Sequence, residues 1–569
     1  MSIGHTESSG ARFSAARTEA VRLLICVLMV SGLFSGEVRT AAGADQPPAA
    51  VATFHCLGLY WKPAGGDAGK SCEVQYRSKQ DSAWRKGFPL WFDSRNGEYR
   101  GSIVELQSGT EYEVELHLAG TDQRARLDAT TWNEDFPIGK RIFLEPQSKK
   151  RLVIDQSGNA QGYVLYLPPE GLDAATIDVA GQDDYCVEIR ASHVMLRGLV
   201  LKSPAIHAVV FGEGVHDVVV EGCDISGWGR IEDDGWGRDY DAAFYSKSKS
   251  LQRVVLQGNR MHHPRSNSNS WKERRARHNT FHPMGPQCIN FFDSAGNHVF
   301  RYNEFQTDAR HYCNDIFGAG SNFGERGFPN RDSDIYGNRI DGCWDDGIES
   351  EGANCNVRIW NNYIDNTMVK IAVAGCSVGP VYLWRNVAAA SRLGPEEPAG
   401  EPFLKMGAVP GSGGGRIYVF HNTILQPAGQ SREGFIGCGE GLAQSGGQEL
   451  GTVISRNNIL QCRTERATAV RDKSQAAGSS YDYDLFHGRI QASEGQEPHG
   501  IRGRPVFQSP PEPGVFSLAP SSPGRDQGVE LPNFNDGYQG AGPDIGAHEA
   551  ETPAMVFGIP AWQQSRTRN

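Results

Sequence analysis

Ile335-Tyr-Gly-Asn338-Arg-Ile340 is followed 24 residues later by Ile359-Trp-Asn-Asn362-Tyr-Ile364, and after a further 24 by Leu383-Trp-Arg-Asn386. Looser copies are Leu256-Gln-Gly-Asn259-Arg-Met261, Phe300-Arg-Tyr-Asn303-Glu-Phe305, Val419-Phe-His-Asn422-Thr-Ile424 and Ile454-Ser-Arg-Asn457-Asn-Ile459. Cys223 and Leu199 take the Asn place in the two copies before these, and the steps from 199 to 457 are 24, 36, 44, 35, 24, 24, 36 and 35 residues. A fixed step in this range is the mark of a solenoid. Apolar residues alternate within each copy, Gly and Asn sit at the corners, and no amphipathic helix separates the copies. The expected fold is all-β: a right-handed parallel β-helix, one coil per 24 residues, with coils about 4.8 Å apart. The Asn column reads as an amide ladder that satisfies backbone groups from coil to coil.

The step is also a ruler. Residues beyond 24 must leave the coils as loops. Counting places them mainly after the Asn strand, at 227–241, 262–285, 306–313, 388–402 and 427–438, with 319–332 on the other side of its strand. Inserts on one face of a solenoid commonly carry ligand sites.

Upstream the 24-residue step disappears. Residues 1–44 read as a secretory signal: Arg12, Arg17 and Arg22 precede the apolar stretch Leu23–Phe34, and Ala42-Gly43-Ala44 offers a small-residue cleavage site. The expected location is therefore secreted, periplasmic or cell-surface, with no membrane span after cleavage. Residues 45–133 show short alternating strands, the pattern of a small β-sandwich. Leu106-Gln-Ser-Gly-Thr-Glu-Tyr112-Glu-Val-Glu-Leu116 resembles the tyrosine-corner segment of fibronectin type III domains, and Trp61 matches their core Trp. Residues 134–549 are assigned to the β-helix and its closing segment, and 550–569 to a loose tail.

The chain of 569 residues has a formal net charge of −11. Residues 1–44 hold four Arg and three Glu, leaving −12 for the remainder, which argues against nucleic acid as a partner. Of the 12 Cys, Cys26 lies in the signal; Cys56 and Cys72 are candidates to pair, and the others read as small core residues. The sequence has no C-x-x-C, the commonest start of a cysteine zinc site. A monomer is expected.

Chemistry concentrates at Trp344-Asp-Asp-Gly-Ile-Glu-Ser-Glu-Gly352. Asp345, Asp346, Glu349 and Glu351 repel one another unless a cation or protons intervene, and Ca²⁺ takes several carboxylate oxygens. If Phe317 stacks on Ile348, Asp315 stacks on Asp346. Lys370 follows Asp346 by 24 residues, and alternation in Val369-Lys-Ile-Ala-Val373 turns it outward. A lysine beside a bound cation has its pKa lowered and can take a proton alpha to a uronate carboxylate. In these features the sequence resembles the pectate lyases of polysaccharide lyase family 9, which pair an Asp-Gly coil with Asp-Asp-Gly-x-Asp and a following Lys. The resemblance implies Asp315, Asp345, Asp346 and Glu349 as Ca²⁺ ligands and Lys370 as base. Glu349 stands where the family has Asp, and the lead coil reads Asn314-Asp315-Ile316.

Loop 260–278 carries six Arg and Lys against Glu273 alone, with Trp271 among them. It suits an anionic sugar, with Arg274 on a carboxylate and Trp271 on a ring, or equally a solvated loop paired with Glu232-Asp233-Asp234. His282, Gln287, Arg310 and His311 are further substrate contacts by position. The leading expectation is a Ca²⁺-dependent lyase on an acidic polysaccharide. A glycoside hydrolase using the same carboxylates, with Asp346 among them, and a non-catalytic surface protein binding polysaccharide or protein are the alternatives.

Overall fold

The computed structural model describes residues 46–318, 324–389, 391, 402–407, 413–425, 440–444, 453–462, 464–474, 478–509 and 514–568. The expected signal segment, and most of the inserts 388–402 and 427–438, lie outside the described residues.

Seven antiparallel strands come first: β1 (Gln46–Ala52), β2 (Leu57–Lys62), β3 (Cys72–Ser78), β4 (Arg85–Asp93), β5 (Glu98–Ile103), β6 (Glu111–Leu118) and β7 (Arg124–Thr130), in the order β1-β2-β5-β4-β3-β6-β7. Alternating residues such as Tyr112, Val114, Leu116 and Leu118 close over Trp61 to form their core. The Tyr112 hydroxyl accepts the Gln107 N–H at 2.9 Å, the geometry of a tyrosine corner.

The rest of the chain coils into a parallel β-helix of three sheets with 12, 12 and 13 strands among the described residues. Each coil passes through a docking sheet (Val194–Arg197 in one coil), a ladder sheet (Leu199–Lys202) and a site sheet (His207–Phe211). Side chains such as Leu196, Leu201 and Val209 fill one continuous interior. The inserts 227–241, 262–285 and 306–313 all fall between a ladder strand and a site strand, as counting by 24 implied.

At the turn into the ladder sheet, Asn259, Asn303, Asn338, Asn362, Asn386 and Asn422 hydrogen-bond amide to amide. The next member is Asn458, not Asn457: Asn422 Nδ2 donates to Asn458 Oδ1 at 2.9 Å, and the run ends on Asp484. Thr423 pairs with Ile459, so the last step is 36 residues and Asn457 falls in the left-handed corner position.

The sandwich is wedged on the docking sheet. That face exposes a pile of rings, with Tyr336 on Trp360 at 4.1 Å and Trp360 on Trp384 at 5.2 Å, and the sandwich side chains Phe54, Cys56 and Val104 pack over it. Polar anchors fix the register: Tyr60 OH donates to Asp332 Oδ1 at 2.7 Å, and Thr53 Oγ1 donates to Asp334, which also pairs with fully buried Arg358. Cys56 serves this interface while Cys72 lies in the sandwich core, so the expected pairing of the two does not form.

The tail is not loose. Its helix α1 (Gly558–Arg568) starts with Gly558 N–H donating to Gly337 O at 2.8 Å. Trp562 lies in a notch that only glycine permits: a Cβ on Gly258 falls 2.2 Å from its ring and one on Gly222 falls 2.7 Å from it.

Candidate functional site

Two residues of each site strand point outward, separated by two that point in. Phe317, Ile348, Ile371 and Leu404 stack in the interior. This register brings Gln287, Asp315 and Asp346 into one outward column, and Asn290, Glu349 and Lys405 into the other. Gly318 is small where size matters, because a Cβ there sits 2.7 Å from the Gln287 amide that reaches Asp315.

Carboxylate oxygens of Asp315, Asp345 and Asp346 lie within 4.8 Å of one another, and so do those of Asp346, Glu349 and Glu351. All five residues are buried; Asp346 is 1% and Glu351 0% exposed. Asp315 accepts from the Asp346 N–H, Gln287 Nε2 and Asn314 Nδ2, each at 2.9 Å. The Lys405 ammonium lies 2.5 Å from Asp346 Oδ2 and 3.1 Å from Glu351 Oε1. His282 Nε2 approaches Asp345 Oδ2 at 3.4 Å. Asp346 Oδ1 and Asn314 Oδ1 are buried with no hydrogen-bond partner.

Crowding of charge shifts the titrations. Burial, then repulsion by Glu349, Asp345 and Asp346, pushes Asp315 well above the carboxylate range. Burial and Asp346 push Asp345 up to about 7 against the pull of Lys405 and His282. Burial raises Glu351 to about 7 although Lys405 opposes it. For Lys405, burial works to lower the pKa, but Asp346, Glu351, Asp345 and Glu349 outweigh it and hold it well above the usual lysine value.

Lys370 is not aligned with Asp346. Asp346 pairs with Val369, one residue short of the expected stacking, and Lys370 falls in an inward position beside Gly347. Its ammonium is buried and donates to Thr367 O at 2.8 Å and Ser391 Oγ at 3.4 Å. The reason is the site-strand pattern: two consecutive inward residues break the simple alternation that turned Lys370 out. Lys405, a coil further on, is the lysine at the carboxylates, and it passes over the short Ala372 in its column.

The other expected contacts divide. Gln287 and His282 join the cluster, and Trp271 packs edge-on against the His282 ring at 4.7 Å. Arg274 donates to Asn279, Arg310 is exposed with its N–H on Asp308, and His311 bonds Pro264 O at 2.8 Å, none of them contacts to the carboxylates. The basic loop is largely spoken for: fully buried Arg275 pairs with Glu232 and Asp234 at 2.8 Å, and Arg277 with Asp233. Tyr240 escaped sequence reading. It has φ +64°, is 39% exposed, and its hydroxyl is raised to about 12 by burial and then by the charges of Asp239, Glu349 and Asp315.

No family model matches the sequence, and no curated protein matches it. Among solved structures the chain is similar to pectate lyase Pel9A, with a TM-score of 0.38 and 11% identity over 73% of this chain and 86% of that one. No helix among the described residues is long and apolar enough to cross a membrane.

Proposed function

We propose that the chain is an exported carbohydrate-active enzyme that cleaves an acidic polysaccharide by β-elimination with a bound Ca²⁺. The observation that carries this is the convergence of Asp315, Asp345 and Asp346 oxygens within 4.8 Å of one another, with Asp346 Oδ1 buried and unpartnered. Calcium–oxygen bonds of about 2.3–2.6 Å span that separation between opposite ligands. Asp315, Asp345 and Asp346 would hold the ion, and the side-chain Oδ1 of Asn314, buried without a hydrogen-bond partner, would be a further neutral ligand. When bound, the ion supplies positive charge beside a uronate carboxylate and stabilises the charge that develops there.

The chain's own residues do the rest. Lys405 is the base: in the metal-free site Asp346 and Glu351 hold it as an ammonium, and Ca²⁺ on Asp346 would offset the charge that raises its pKa and free it to take the proton alpha to the carboxylate. Gln287 and Asn314 hold the Asp315 carboxylate in place, and Tyr240, His282 and Trp271 line the approach for the sugar. A hydrolase reading draws on Asp345 and Glu351, whose carboxyls hold protons to about pH 7. Against a hydrolase using adjacent members such as Asp345 and Asp346, their oxygens come within 4.8 Å, whereas paired hydrolase carboxylates stand roughly 5–5.5 Å apart in retaining enzymes and about 6.5–9.5 Å apart in inverting ones.

The test is incubation of the untagged chain with polygalacturonate and other uronate polymers. An ultraviolet-absorbing unsaturated product that disappears with chelator and returns with Ca²⁺ is expected. Reducing ends without that absorbance, formed equally in chelator, would overturn the reading in favour of hydrolysis.

A further inference from the structure

The site strand Gln287–Phe291 turns two amides outward, Gln287 and Asn290, three residues apart. Both are buried, Gln287 1% and Asn290 0% exposed. A buried amide needs its hydrogen bonds met, and its two ends are not interchangeable, because the NH₂ donates and the oxygen accepts. Their orientation is set from the end that has no choice. An ionised Asp315 only accepts, so Gln287 presents Nε2 to its Oδ2, at 2.9 Å. Gln287 Oε1 then faces Asn290, and Asn290 Nδ2 donates to it.

The backbone of Gln287 is held apart from this pair. Its N–H donates to Asp241 O at 2.8 Å, and its carbonyl accepts from Trp228 Nε1 at 2.8 Å. What remains open is the rotation of the side-chain amide, whose two settings half a turn apart have almost the same shape. One gives Asp315 a donor. The other sets Oε1 against a carboxylate oxygen, and two acceptors repel. Asn290 selects the first. Among the described residues its side chain hydrogen-bonds Gln287 alone, and its own Oδ1 is buried with no partner. A buried polar atom left unmet weakens a fold. The polar contribution of Asn290 is thus carried by its NH₂, which reaches the carboxylates only through Gln287.

We propose that Asn290 is a positioning residue for the calcium site: acting through Gln287, it fixes the Asp315 carboxylate in the orientation that receives the ion. The inference rests on the calcium reading above and extends it to a residue that is not itself a ligand. Gly318 supports the same geometry. It pairs with Asn290 in the next coil, and a Cβ there would fall 2.7 Å from Gln287 Nε2 and 2.9 Å from Gln287 Oε1. The room that glycine leaves is the room the Gln287 amide occupies between Asn290 and Asp315. Ligating carboxylates depend on such outer hydrogen bonds, and removing one typically weakens metal binding about 10–100-fold.

The experiment is a double-mutant cycle on calcium affinity, by calorimetric titration of the untagged full chain with CaCl₂. Its members are the parent, Asn290→Leu, Gln287→Leu and the double variant. Asn290→Leu is expected to weaken binding about 10–100-fold, and Gln287→Leu at least as much. The double variant is expected to bind no more weakly than Gln287→Leu, because the amide through which Asn290 acts is already gone. A residue that merely supported the fold would instead give effects that add. Asn290→Ala, which introduces no branched bulk, repeats the cycle if the leucine variant does not fold. Equal affinity of the Asn290 variant and the parent, or additive effects, would overturn the inference and leave the calcium reading standing. A parent chain that binds no calcium would overturn that reading, and this inference with it.

Discussion

The Lys405 ammonium lies 2.5 Å from Asp346 Oδ2 although 59 residues separate the two in the chain. Between them in the stack comes the coil of Lys370, whose own ammonium is turned inward to Thr367 O. Two lysines on successive coils thus have opposite surroundings, and they give opposite predictions.

Lys405→Met is expected to lower the rate of unsaturated-product formation by about 10²–10⁴-fold, the range for loss of a general base. Lys370→Met is expected to retain turnover and instead lower stability by about 1–3 kcal/mol, through unmet buried acceptors. Steady-state kinetics and urea unfolding on both variants check the pair. Loss of activity confined to Lys370→Met would reverse the assignment.

In chelator, the protein is expected to lose stability as pH rises. Asp345 and Glu351 have folded-state pKa values near 7, above the ordinary carboxylate values they have when unfolded. The folded state therefore binds more protons between about pH 4 and 7, and its advantage, full below the unfolded pKa, is lost as pH passes the folded one. Excess Ca²⁺ is expected to restore stability at pH 8 far more than at pH 5. Chemical denaturation at the two pH values, with and without calcium, measures it.

Asn362→Ala removes the acceptor of the Asn338 amide and backbone N–H, and the donors to Ile335 O and Asn386 Oδ1. With those partners buried, a cost of roughly 2–5 kcal/mol is expected by urea unfolding. Asn361→Ala, at the left-handed corner position next to it, tests backbone conformation instead and is expected to cost about 1 kcal/mol.

Gly258→Ala places a methyl 2.2 Å from the Trp562 ring at a residue with φ +62°. Release of α1 is expected, read as rapid proteolysis of the C-terminal segment, together with about 1–3 kcal/mol of strain or lost packing. Protection equal to the parent's would show that the helix is held without the notch.

The amino-acid sequence by itself determined the solenoid, the sandwich before it, the corner that carries the inserts and the stacking of Asp315 beside Asp346. These follow from local periodicity: a 24-residue step repeats the same apolar face, and each coil can be read from its neighbour. Tertiary structure alone decided the rest. The pairing of Asp346 with Val369 depends on two consecutive inward residues in each site strand, a departure from alternation that no single strand reveals. Lys405 reaches Asp346 because the coils stack across an intervening insert whose length obscures the count. Asn458 replaces Asn457 in the ladder for a similar reason, since the register of the last coil is set by packing rather than by the motif. The sandwich and α1 are held by surfaces formed only when the coils assemble: the pile of rings for one, and the glycine notch for the other.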